Sequence, residues 1–183
     1  MKKLIPLLSA ILLLNSCQKE QKSTSLNDEK NQTEKLKTED LETNEEENAK
    51  KWILKTIDSY FKEDFPTMNG ITTKSYEEYK TEATNVDLDT DEALTLEDFE
   101  KKWKDKYDTK YAGIGSGFLI SGQDWGKIEV INCKSLKSTI ENEYLFDVTL
   151  SDTHIKIDYL REIKVIKSED TFLISDVKEF NKF

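Results

Sequence analysis

The chain has 183 residues and is acidic, with 37 Asp and Glu residues against 27 Lys and Arg and a formal net charge of −10. A surface of this sign repels the phosphate backbone of nucleic acids, so nucleic-acid binding is not expected. The net charge supports solubility and carries no information about the fold.

The first residues have the layout of a secretory signal peptide. Two lysines precede an apolar run over residues 4–14, which is shorter than the ~20 apolar residues needed to span a bilayer. The following Leu14-Asn15-Ser16-Cys17 resembles the bacterial lipobox. The resemblance implies that residues 1–16 are removed and that Cys17 is acylated, which anchors the protein to a membrane. An ordinary signal peptide with an incidental Cys17 is the alternative.

The residues around Cys17 set two further expectations. Gln18 stands where an Asp would indicate retention in the inner membrane of well-studied bacteria, so a location at the outer membrane of the cell envelope is expected. If Cys17 is lipidated, Cys133 has no partner for an intrachain disulfide and should be a small buried hydrophobe.

Residues 17–48 are predicted to form the lipidated cysteine and a disordered acidic tether. Residues 18–48 contain no aromatic residue and only three leucines, too little apolar surface to offset the entropy lost on folding. A coil of this length would hold a domain ~30 Å from the membrane on average. A transient helix around Glu34–Glu47 is the alternative, and it leaves the tethering role unchanged.

Residues 49–183 have the size and aromatic content of a single domain. Apolar residues at helical spacing predict a first helix over Lys50–Asp64, ended by Pro66 and Gly70. Ser75–Glu78 has the form of a capping box that opens a second helix. A third helix is predicted from the spacing of Leu96, Phe99, Trp103 and Tyr107.

The second half of the domain is predicted to be strands. Five of the six glycines lie between residues 113 and 126, which indicates loops, and alternation with period two follows from Lys127 onward. Helices followed by antiparallel strands predict an α+β domain, with the helices packed on one face of a curved sheet.

The predicted order of elements resembles the cystatin-like, nuclear transport factor 2-like fold, in which a curved sheet and its helices form a cone around a pocket. The segment from Phe118 to Trp125, followed by a strand, is similar to a loop segment in a family of bacterial envelope lipoproteins with that fold. The resemblance implies the fold but no activity, since none is established for that family.

The strand registers follow from the demand that apolar residues share one face of the sheet. This demand places Leu150 opposite Ile155 in one hairpin and Val165 opposite Phe172 in the next.

These registers place Arg161, the only arginine, on the apolar face between Tyr144 and Asp176, with Phe146 and Tyr159 beside it. A charge on a buried face must be paired, because its desolvation is costly. Arg161 therefore either forms a structural pair with Asp176 or anchors a carboxylate or other anion in the pocket.

The stretch from Asp87 to Asp98 raises the question of calcium. Asp87, Asp89, Asp91 and Asp98 stand at positions one, three, five and twelve of a loop that resembles an EF-hand. However, Glu92 replaces the glycine of the sharp turn. The alternative is an acidic loop that leads into a helix capped by Thr95.

The sequence does not predict a catalytic site. His154, the only histidine, lies in a predicted turn, and the chain has neither a nucleophile elbow nor a phosphate loop. A carboxylate acid–base pair such as Asp176 with Asp147 is the remaining enzymatic alternative, although the predicted register puts the two on opposite faces.

The expected function is therefore that of a lipid-anchored envelope protein whose domain binds a protein partner without transforming it. Some domains of the resembled fold protect the cell by occupying a toxin or an envelope enzyme, which would make the protein immunity-like. The alternatives are a carrier of a small molecule or anion in the cone pocket, and an enzyme with a carboxylate pair. Apart from calcium, no cofactor is expected.

Overall fold

The computed structural model describes residues 44–122 and 125–180, all of which belong to one compact unit. The predicted signal peptide, the lipidated cysteine and residues 18–43 of the predicted tether lie outside the described residues. Within the described ranges, no helix is both long enough and apolar enough to cross a bilayer.

The first helix, α1, covers residues 44–60 of the described chain. It buries Ala49, Ile53 and Ile57, which recur every four residues and therefore lie on one face. Residues 44–48, assigned above to the tether, are helical, and Glu45 forms an ion pair of 2.8 Å with Lys167. The stretch is rich in glutamate, which favours the first turns of a helix, and Ala49 extends the buried stripe backward.

Helix α2 spans Lys74–Asn85, and its start differs from the predicted one. Thr73 is the N-cap, with a side chain that accepts a hydrogen bond of 3.2 Å from the backbone N–H of Tyr76. The hydroxyl of Ser75, the predicted cap, instead accepts hydrogen bonds from Lys106 and Tyr107. The Thr73 carbonyl also accepts a hydrogen bond from the backbone N–H of Glu77, so the N-cap lies two residues before the predicted cap, Ser75.

Helix α3 spans Leu96–Trp103 and is capped by Thr95, as the sequence predicts. Its buried Phe99 stacks on Tyr79 of α2 at a centroid distance of 5.3 Å, and its buried Trp103 meets the same ring edge to face at 5.5 Å. A 3₁₀ turn at Thr109–Tyr111 follows. The aromatic stripes of the two helices therefore form core rather than a ligand site.

Four antiparallel strands form one open sheet in the order β1-β2-β3-β4. Their bounds are Ile128–Leu136, Glu143–Asp152, Ile157–Ser168 and Thr171–Phe180. The inner face is buried under the helices and the loop around residue 119, which confirms an α+β domain with helices packed on an antiparallel sheet. The inner-face residues of the central and last strands include Phe146, Val148, Leu150, Ile163, Val165, Ile174 and Val177.

The predicted register of β2 with β3 is wrong by four residues. Leu150 lies opposite Tyr159 instead of Ile155. The carboxylate of Asp152 accepts hydrogen bonds from the backbone N–H groups of His154 and Ile155, and Lys156 adopts a left-handed φ of 59°. The loop therefore spans residues 153–156, two residues later in the chain than the turn at 151–154 that the predicted register gives, and it has the same length.

The predicted register of β3 with β4 is also wrong, and a β-bulge adds a second difference. Val165 lies opposite Ile174, and Lys164 lies opposite Asp176, so Ser175 has no partner on β3. One extra residue exchanges the two faces of the strand beyond it. Glu179 therefore points to the inner face, where the sequence analysis placed Asp176.

Candidate functional site

The inner face carries three buried charged side chains in contact, Lys80, Arg161 and Glu179. The Glu179 carboxylate lies 2.5 Å from the Lys80 ammonium and 3.2 Å from Nη2 of Arg161. All three side chains are at most 1 % exposed, so the ion pairs are desolvated. The prediction that Arg161 pairs with Asp176 is wrong, because the Ser175 bulge turns Asp176 to the outer face.

Backbone carbonyls of the glycine-rich loop accept hydrogen bonds from both buried cations. Lys80 donates to the carbonyls of Ala112 and Gly113 at 2.9 and 3.2 Å. Arg161 donates through Nε to the carbonyl of Leu119 at 2.8 Å. Gly113 has a left-handed φ of 63°, and a Cβ there would collide with the Glu179 carboxylate, so only glycine fits.

The cluster contains two cations and one anion, and burial disfavours the charged forms of the two cations. Burial lowers the pKa of Lys80, and the nearby Glu179 opposes that effect. Burial likewise lowers the pKa of Arg161 below its ordinary value, again opposed by Glu179. Among the described residues, three buried atoms lack a hydrogen-bond partner: the hydroxyl of Tyr76, Nη2 of Arg161 and Oε2 of Glu179. The last two face each other as an ion pair without hydrogen-bond alignment.

The structure brings only part of the predicted ligand site together. The Arg161 guanidinium lies 5.4 Å from the ring centroid of Tyr159, and Phe146 is buried on the same face. Tyr144 is half-buried farther along β2, where it contacts the ring of Phe172. The partners of Arg161 are thus Glu179 and backbone carbonyls of the same chain.

Asp176 lies in a separate cleft of about 350 Å³, where the start of α2 and the segment after α3 meet strands β2, β3 and β4. Burial raises the pKa of its carboxyl to about 6, and Lys164 and Lys178 partly oppose the rise. A carboxyl with this pKa can exchange a proton near neutral pH and can bind a cation or a hydroxyl group. The polar residues that line the cleft are Ser75, Lys106, Tyr107, Glu143, Lys164 and Asp176.

The prediction that Asp147 and Asp176 lie on opposite faces of the sheet is also wrong. Asp147 lies opposite Glu162 of β3, and its neighbours along β2, Phe146 and Val148, face inward. Asp147 therefore faces outward, on the same face as Asp176. Glu143, which forms an ion pair of 3.5 Å with Lys164, is the carboxylate that shares the Asp176 cleft.

Two grooves lie on the helical side of the surface. One, of about 390 Å³, is lined by five aromatic or apolar residues and five polar ones, and its residue Phe65 is 90 % exposed. The apolar residues in its wall are Trp52, Tyr60, Phe65, Pro66 and Ile71. The other, of about 870 Å³, lies between α2 and residues 88–94, and five of its twelve lining residues are acidic.

The four carboxylates of the predicted calcium loop are not gathered. Asp87, Asp89 and Asp91 are exposed, and Asp98 accepts a hydrogen bond of 2.9 Å from the hydroxyl of Thr95. In residues 44–122 and 125–180, no three His, Cys, Asp or Glu side chains are placed to hold a metal ion.

Sequence reasoning missed Lys80 and Glu179, although each left a signal. Lys80 lies on the buried stripe of α2 between Tyr76 and Ala83, where a lysine requires an internal partner. Glu179 alternates with Val177 near the end of β4. Comparisons with protein-family models, with curated proteins and with solved structures found no match.

Proposed function

We propose that this protein is a lipid-anchored protein of the bacterial envelope whose α+β domain binds a protein partner without transforming it. The observation that carries the proposal is the state of Arg161. This residue is the natural anchor for an anionic ligand on the inner face, yet Glu179 and the carbonyl of Leu119 already occupy it. Recognition by the surface is therefore favoured over recognition by an internal pocket.

The finer parts of the proposal rest on sequence patterns. The anchor and the outer-membrane location rest on Leu14–Cys17 and Gln18, which lie outside the described residues. The nuclear transport factor 2-like assignment rests on the order of helices before a four-stranded antiparallel sheet.

Phe65 supports a protein partner. Its ring is 90 % exposed beside Pro66 and a groove that also contains Trp52 and Tyr60. Exposed aromatic residues next to a pocket are typical of the few residues that dominate protein interfaces. The groove fits an apolar or aromatic side chain of the partner, with Lys55 and Glu63 available for polar contacts at the rim.

The anchor is tested by Cys17→Ser. The variant should move from the membrane fraction to the soluble fraction of the envelope while its circular dichroism spectrum stays that of the wild type. A variant that still sediments with membranes, and leaves them only with detergent, would show that Cys17 is not the anchor.

The partner is tested by affinity capture from native envelopes with the wild type, Phe65→Ser and Ile140→Ser. Ile140 is the matched control, because it is also strongly exposed but lies in the β1–β2 connection, away from the groove. We expect one protein, in near-stoichiometric amount, to be captured by the wild type and the control and lost with Phe65→Ser. Identical capture by all three would overturn the role of the groove.

A second candidate function is small-ligand binding at the Asp176 cleft, favoured by the raised pKa of that carboxyl. The cleft also holds Glu143, so it is where a carboxylate acid–base pair would act if the protein were an enzyme. Thermal shifts with a panel of small amines, amino acids and sugars, lost in Asp176→Asn, would support this candidate.

A further inference from the structure

The open sheet has two edges. Among the described residues, β1 pairs only with β2, and the other edge, β4, carries a single bridge, between Ile174 and Thr72. An edge strand presents unpaired backbone N–H and C=O groups that can accept another strand. Ile131 in the middle of β1 is 56 % exposed. We propose that a second copy of this chain pairs with β1 in antiparallel orientation and extends the sheet across both copies.

The faces of β1 define which registers are possible. A bulge at Ile131 separates two regular stretches, since Val130 lies opposite Leu150 and Asn132 lies opposite Thr149. Val130 and Cys133 are half-buried on the inner face, where their partners Leu150 and Val148 are fully buried. Glu129, Asn132 and Lys134 are exposed on the outer face.

One register matches these faces along the whole strand. A two-fold axis between residues 131 and 132 places Val130 opposite Cys133 of the second copy, so inner residues meet inner residues. It also places Glu129 opposite Lys134 of the second copy on the outer face. Moving the register by one residue sets Val130 opposite Lys134 or Asn132, which joins an inner to an outer position.

The same register pairs opposite charges twice, once on each side of the axis. Lys134 is exposed and forms no ion pair with the described residues, and Glu129 contacts only the exposed Lys127, at 2.5 Å. Opposite charges directly across a strand pair stabilise it, and like charges destabilise it. Charges and bulges usually protect an edge from foreign strands. In β1, however, Glu129 and Lys134 are complementary to Lys134 and Glu129 of another β1 strand. The occupant of the edge is therefore a second copy of this chain.

The interface is tested on the full chain carrying Cys17→Ser, so that Cys133 is the only remaining thiol. Sedimentation equilibrium at tens of micromolar protein should give the mass of a dimer. Glu129→Lys alone or Lys134→Glu alone should give monomer, because each sets like charges opposite each other. The double exchange should restore the dimer.

Lys137→Glu is the matched control, because this exposed lysine follows β1 and its reversal changes the net charge as much as Lys134→Glu. The control should remain dimeric. A wild type that stays monomeric, or a dimer that both single reversals leave intact, would overturn the proposal.

A thiol added by Val130→Cys tests the register itself. Cβ atoms of directly opposed residues lie close to the separation that a disulfide needs. Mild oxidation should therefore give a covalent dimer through Cys133 of the second copy. The dimer should be absent when Cys133→Ser is added, and absence of any covalent dimer in a dimeric protein would contradict this register.

Discussion

Lys80, Arg161 and Glu179 join four segments of the chain that are distant in sequence: α2, the loop near Gly113, β3 and β4. Buried ion pairs are often no more stabilising than well-packed apolar residues, because desolvation offsets their attraction. Because a buried charge needs a partner of opposite sign, these three residues instead disfavour alternative registers, since any other pairing of β4 would leave Lys80 and Arg161 buried without an anion. The three residues therefore specify the arrangement of the fold.

The first prediction concerns the coupling of these charges. Glu179→Gln leaves two buried cations without an anion and should lower the free energy of unfolding by about 3–5 kcal/mol. Combining Lys80→Met, Arg161→Met and Glu179→Leu should recover most of that loss. The measurement is a double-mutant cycle on denaturant midpoints, with Arg161 and Asp176 as the control pair. Strong coupling in the control pair and none between Arg161 and Glu179 would contradict the observed register.

The second prediction uses the raised pKa of Asp176, about 6 in the folded protein. Folding favours the protonated carboxyl, so its contribution to stability is full below the unfolded-state pKa of ~4 and is lost as the pH rises through 6. Asp176→Asn mimics the neutral acid. It should therefore be more stable than the wild type by about 1–3 kcal/mol at pH 7, with no difference at pH 3.5.

Denaturant midpoints of both proteins between pH 3.5 and 8 give this difference directly. Other titrating groups cancel because they are common to the two chains. A difference that is constant across the range would show that the carboxyl ionises normally.

At the scale of elements, the sequence predicts the helices, the sheet and the faces of the apolar residues before the bulge at Ser175, because periodicity reports burial. It does not predict the registers, which depend on single residues. The loop after β2 is set by hydrogen bonds to the Asp152 carboxylate, and the face of Glu179 is set by the bulge at Ser175. Both Asp176 and Glu179 are acidic, so composition alone cannot tell which one faces Arg161.

The third prediction concerns the acidic loop between α2 and α3. Since Asp98 already bonds the Thr95 cap and the other three aspartates are exposed, millimolar Ca²⁺ should leave the melting temperature unchanged. Differential scanning calorimetry with Ca²⁺ and with Mg²⁺ as the control measures this. A rise specific to Ca²⁺ that Asp87→Ala and Asp89→Ala remove would establish the calcium site.

At the scale of the whole molecule, the domain extends farther toward the N-terminus than aromatic content suggests. Residues 44–48 carry no apolar side chain, yet they continue α1, and Glu45 reaches Lys167 at the end of β3. The predicted tether is shorter by these residues.

The fourth prediction is the position of the proteolytic boundary. Trypsin should cut at lysines of residues 18–43 and spare Lys50 and Lys51, which lie in α1. Mass spectrometry of the resistant core should therefore give an N-terminus before residue 44. Early cleavage at Lys50 would mean that the start of α1 opens readily in solution.

The wide sequence separation within the buried cluster sets an order of events in folding. Lys80 and Glu179 are 99 residues apart, and Glu179 belongs to the last strand. Until β4 joins the sheet, Lys80 and Arg161 have no anion and must remain hydrated, so the inner face closes only as β4 docks. Glu179→Gln should accordingly speed unfolding in stopped-flow experiments and leave the refolding rate nearly unchanged. A chain still emerging from the ribosome would thus hold an open sheet until β4 is free.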